Sequence, residues 1–167
     1  MVFGVSALLV LGASLCLAFW TIPQWRFASD SEPVPQKLLE KVDFSKLTEE
    51  NVTANGFSIW GSQSEDDRAV YEDNTTEGVR YYAEVAFASP EDADGDLPNA
   101  HYRHHYEDFT HVAMKLADLG ENGVVYRVEL LHKNGAELLL DGTFADTEQA
   151  HYAEMYAYLD ALLDKLA

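Results

Sequence analysis

The stretch 124–144, VVYRVELLHKNGAELLLDGTF, reads as two strands joined at Lys133-Asn134-Gly135, and the way they pair decides which side chains share a face. A two-residue Asn134-Gly135 turn would set Leu131 against Leu138 and Leu130 against Leu139, splitting the apolar residues between both sides. A three-residue loop with Gly135 in the left-handed bulge position pairs His132 with Ala136 instead. Tyr126, Val128, Leu130, Leu138 and Leu140 then lie on one face, and Arg127 stands opposite Asp141. The second register gathers the apolar surface on one side and is the one expected.

Working outward, Asp146 followed by Gln149 reads as a helix N-cap. Tyr152, Tyr156, Leu159, Leu163 and Leu166 then recur at spacings of four and three, the stripe of an amphipathic helix that covers the sheet. Met155 and Tyr158 flank this stripe and are the residues expected to be left for a partner. On the other side of the hairpin, the segment from His104 or Tyr106 to Leu119 carries Phe109, Val112, Ala113, Leu116 and Leu119 at helical spacing, closed by Gly120. That spacing predicts a second amphipathic helix.

Further upstream, 57–60 and 68–71 read as short strands. In 79–88 Val79, Tyr81, Ala83, Val85 and Phe87 alternate with Arg80, Tyr82, Glu84 and Ala86, a strand with one core face. Residues 89–99 read as a loop, and 35–42 as a short helix with Leu38, Leu39 and Val42 on one side. Strands joined by short connections imply an antiparallel sheet packed by helices on one face. The expected class is therefore α+β, ending in a β-hairpin and a long C-terminal helix.

The N-terminus has a different character. From Met1 to Trp25 there is no Asp, Glu, Lys or Arg, and about 20 apolar residues suffice to cross a ~30 Å hydrocarbon core. Trp20, Trp25 and Arg26 resemble an interfacial belt, and Pro23 would end a helix there. The competing reading is a cleaved secretory signal, but a basic start and a small-x-small cleavage site are not clear. The expected organisation is a transmembrane anchor at 1–25, a linker and short helix at 26–45, and an acidic α+β domain at 46–167. Gly12 with Cys16, and Ser14 with Ala18, place small residues four apart, where a partner helix would approach. Arg26, Lys37 and Lys41 after the anchor favour a cytoplasmic domain. A very short N-terminal tail bearing only an α-amino group, and two glycosylation triplets, at Asn51 and Asn74, favour a single-pass cell-membrane protein with its domain on the extracytoplasmic, periplasmic side, the placement expected here.

The chain has 167 residues and a formal charge of −18, from 29 acidic against 11 basic side chains. Such a field repels phosphate polymers and argues against nucleic-acid binding, while leaving cationic proteins and divalent metals as partners. The sole cysteine, Cys16, lies in the apolar segment, so the domain has no disulfide or thiol nucleophile. No Gly-x-Ser-x-Gly elbow, His-Glu-x-x-His or phosphate-binding glycine loop is present.

Two clusters bear on metals. On a helix, His104, Asp108 and His111 would fall at i, i+4 and i+7 and offer two imidazoles and a carboxylate to a divalent ion such as zinc. Asp92, Asp94 and Asp96 form an oxygen-rich loop, but Leu97 and Arg103 stand where a calcium loop needs glycine and glutamate. The leading expectation is a non-catalytic, membrane-anchored accessory or assembly subunit of an integral membrane protein complex, docking through its helix and acidic domain, with a cationic soluble protein as a further partner. The alternatives are a metal-binding extracytoplasmic protein using the histidine cluster, and a small-ligand module with its pocket between sheet and C-terminal helix.

Overall fold

The computed structural model describes residues 31–60, 68–87 and 104–167. Within them a short helix α1 (Gln36–Leu39), a 3-10 turn (Phe44–Lys46) and α2 (Glu49–Ala54) precede the strands β1 (Ser58–Ile59), β2 (Arg68–Asp73) and β3 (Val79–Ala86). Then come β4 (His104–Tyr106), β5 (Phe109–Asp118), β6 (Val124–His132), β7 (Glu137–Phe144) and α3 (Tyr152–Leu166). The strands form one antiparallel sheet in the order β1-β2-β3-β7-β6-β5-β4. Two meanders thus meet where β7 pairs with β3.

The β6–β7 hairpin has the register that gathers its apolar residues. Leu130 faces Leu138, Val128 faces Leu140, and Arg127 faces Asp141. His132 N–H donates to the Ala136 carbonyl at 2.8 Å, and Gly135 sits at φ 87°. Leu130, Leu138 and Leu140 are fully buried, and with Ala83, Val85 and Val128 they form the floor of the core.

Helix α3 lies on this floor with Met155, Leu159, Leu162, Leu163 and Leu166 inward. Its close approach depends on Gly142, where a Cβ would collide with Met155 Sδ and the Phe144 ring. Leu38, Leu39, Leu47 and Val52 close the remaining side. Lys41 ties α1 to α3 through Asp160 at 2.5 Å and Asp164 at 2.8 Å. Each fully buried leucine contributes about 1.5–3 kcal/mol, so this layer dominates stability.

Four expectations need correction. Residues 104–119 are not a helix but the β4–β5 hairpin, paired to β6 from Phe109 to Asp118. The five consecutive residues Phe109 to Ala113 are all buried, so both faces of β5 are covered at its start and no period-two alternation marks it as a strand. Second, α3 begins at Tyr152 rather than after Asp146. Asp146 instead closes its own turn, accepting from Glu148 N–H at 2.9 Å and Gln149 Nε2 at 2.7 Å. His151, stacked on Phe144 with centroids 4.1 Å apart, then leads the chain into the helix.

Third, neither Met155 nor Tyr158 is left for a partner. Met155 is buried under the sheet, while Tyr158 stacks on Tyr81 at 3.7 Å and donates its hydroxyl to Asp73 at 2.9 Å. Fourth, the membrane and transmembrane reading is overturned for this fold: among the described residues no helix is long and apolar enough to cross a membrane. The segment 1–25, with Gly12, Ser14, Cys16 and Ala18, and the acidic loop at 92–96 lie outside the described residues.

Candidate functional site

The two hairpin turns lie side by side because β5 pairs with β6 along its length. Lys133 joins them, donating its backbone N–H to the Asp108 carbonyl at 3.2 Å and its ammonium to the Asp108 carboxylate at 2.6 Å. That ammonium holds Asp108 below the ordinary carboxylate range. The β6–β7 turn has local support, since Asn134 Oδ1 accepts from Ala136 N–H at 3.1 Å, whereas the β4–β5 turn holds Glu107 at a left-handed φ of 45°.

Across from these turns, the chain from Leu39 to Ser45 forms the other wall of a cleft of about 530 Å³. Asp43 shapes this wall by accepting from Ser45 N–H at 3.0 Å. Its half-buried Phe44 ring lies 5.2 Å from Phe109, edge-on, and 4.9 Å from His132. Tyr106 continues the aromatic floor, 5.3 Å from Phe109.

The rim is acidic. Glu40, Asp43, Glu107 and Asp108 surround the aromatic floor, and Asp108 is occupied by Lys133. The Tyr106 phenol is pushed above its ordinary value by loss of water, and then by the nearby charges of Glu107 and Glu40. An apolar floor ringed by carboxylates is built to take a group that is apolar along its stem and positive at its tip. Between β7, the Lys41–Leu47 segment and the end of α3 the packed side chains leave a gap of only about 20 Å³.

The hairpin also places the three histidine-cluster residues. His104 and His111 face each other directly across β4 and β5, with ring centroids 5.4 Å apart. Asp108 is not with them: it sits in the turn, held by Lys133. His105 points to the opposite side of the sheet, beside Thr110. His111 is buried and its Nδ1 has no hydrogen-bond partner. Burial, then the neighbouring His104 and His105, lowers its affinity for a proton. Among the described residues no group of three or more His, Cys, Asp or Glu is placed to hold a metal ion.

On the sheet face away from α3, polar side chains pair across strands. Arg127 grips Asp141 with two bonds at 2.7 and 2.8 Å, and Arg68 pairs with Glu84. Tyr82 donates to Glu84 at 2.9 Å, and burial followed by that carboxylate pushes its phenol up to about 12. Burial and then Glu129 raise the Glu137 carboxyl. The two arginines are each paired with a carboxylate, and Glu129 and Glu137 leave this face with an excess of acidic groups.

The cleft residues Glu40, Phe44, Tyr106 and Glu107 were not among the expected site residues. They converge only through tertiary packing, since Phe44 and His132 are far apart in the chain. Comparison with family models, with curated proteins and with solved structures returned no match for this chain.

Proposed function

We propose that this chain is a non-catalytic accessory domain that docks a basic segment of a partner protein, with the Phe44–Phe109 cleft as its recognition surface. The observation that carries this reading is the cleft itself: an aromatic floor rimmed by Glu40, Asp43 and Glu107. A lysine or arginine laid into it keeps its methylene stem against Phe44 and Tyr106 and its charge among the carboxylates. The overall charge of −18 supports the same reading, because it draws a cationic partner toward the surface and speeds encounter.

The test is fluorescence anisotropy with the full chain and labelled peptides carrying an Arg or Lys pair beside an aromatic residue. Binding is expected to weaken steeply between low and physiological salt, and to weaken again in Glu40→Gln with Glu107→Gln. Equal affinity for a peptide with Glu in place of its basic residues would remove the proposal.

A further inference from the structure

The His104–His111 pair makes no use of the cleft and has a chemistry of its own. Directly opposed cross-strand residues hold their Cβ atoms about 4.5–5.5 Å apart, within the span that lets two imidazoles converge on one ion. With metal–nitrogen bonds near 2.0–2.1 Å and tetrahedral angles, two coordinating rings have centroids about 5 Å apart. The rings of His104 and His111 are already 5.4 Å apart, with their planes 29° from parallel, so a rotation of the exposed His104 ring brings one nitrogen of each to a shared ion.

We infer that His104 and His111 together bind one divalent transition-metal ion of the zinc, nickel or copper class, each through a ring nitrogen. Three independent features support the site. His111 is buried, and its Nδ1 is a polar atom that no hydrogen-bond partner satisfies. His104 is exposed on β4, the last strand of the sheet, which gives an ion a route from solvent. The strongly negative field concentrates cations at the surface.

The lowered proton affinity of His111 acts in the same direction, keeping its imidazole in the neutral form that ligates. Two protein ligands leave the remaining coordination positions to water, so the ion is exchangeable. Imidazole also sets the selectivity: zinc, nickel and copper are taken in preference to calcium or magnesium, whose natural partners are carboxylates.

The experiment is calorimetric titration of the metal-free full chain with Zn²⁺ in a large excess of Ca²⁺, which occupies adventitious carboxylate sites. One equivalent should bind. Loss of an outer-shell partner alone typically costs about 10–100-fold in metal affinity, so losing a ligand in His104→Asn should weaken binding at least about tenfold. His111→Asn should do the same. His105→Asn, next in the chain but on the other side of the sheet, should leave binding unchanged. Unchanged affinity in His104→Asn overturns the proposal, and so does equal weakening in His105→Asn. Should His111→Asn fail to fold by circular dichroism, the exposed His104→Asn decides the matter. Since neither His104 nor His111 lines the cleft, either result stands without the other.

Discussion

The β4–β5 and β6–β7 hairpins are neighbours in one sheet, yet they are built on different terms. In β6–β7 burial alternates along both strands, and the turn carries Gly135 where the backbone needs a positive φ. In β4–β5 the first half of the long strand is buried on both sides, and the turn forces Glu107 into the left-handed region. The first hairpin is specified by its own local pattern. The second is held in place by what surrounds it, since β5 pairs with β6 along nearly its whole length. Its turn also places Glu107 and Asp108 on the rim of the cleft.

The comparison breaks most readily in the core. Leu140 of β7, flanked by Ala83 and Val128, is fully buried, and Leu140→Ala should cost about 2–5 kcal/mol in urea unfolding. Met114 of β5 is only half-buried and lies outside the main core cluster, so Met114→Ala should cost clearly less. Equal losses would mean that burial in the core cluster does not set the cost of truncation.

A smaller effect sharpens the contrast between the turns. A side chain in the left-handed region is disfavoured by about 1–2 kcal/mol, partly offset by the entropy glycine loses on folding. Gly135→Ala should therefore destabilise by about 1 kcal/mol. Glu107→Gly should stabilise by about 0.5–1 kcal/mol for the same reason with the sign reversed. Both are read as shifts in the urea midpoint at unchanged slope. A loss of stability in Glu107→Gly would show that its carboxylate, and not its backbone, matters to the turn.

The same difference explains what was legible in the sequence. Register of β6–β7 followed from requiring that Tyr126, Val128, Leu130, Leu138 and Leu140 share a face, because a one-residue slip sends each of them to the other side. The alternation of β3 was equally open to reading, and the stripe of α3 in part: Tyr152, Leu159, Leu163 and Leu166 are buried as expected, with Met155 and Leu162 beside them. The Phe109, Val112, Ala113, Leu116 and Leu119 series was not, since a strand buried on both faces loses its period of two and chance spacing can mimic a period of 3.6. A two-residue turn pairs Tyr106 with Phe109, His105 with Thr110 and His104 with His111, separations of three, five and seven. Seven residues also make two turns of a helix, so either fold brings His104 and His111 together. Asp108 joins them only on the helix. The cleft left no such trace, because Phe44, Tyr106 and His132 meet through packing between segments remote in sequence.

The smallest effect at neutral pH is the most specific, and it concerns the one histidine that β5 places opposite a core leucine, His111 against Leu130. Burial, with His104 and His105 nearby, holds its proton affinity below that of a free imidazole. In the unfolded chain His111 takes up a proton as pH falls through about 6.5, while the folded chain still excludes it. The unfolded state then binds more protons, so this contribution to stability is present above that pH and is lost as acidity rises toward the lowered folded value. Carboxylates titrate as well, and acid relieves the repulsion of an overall −18 charge, so the wild type alone would mix several effects. His111→Leu isolates one of them. Unfolding free energies of both proteins, with chelator present, should differ more in favour of the leucine variant at pH 5 than at pH 7.5. The same difference at both values would mean that His111 is protonated as readily in the folded protein as in the unfolded one.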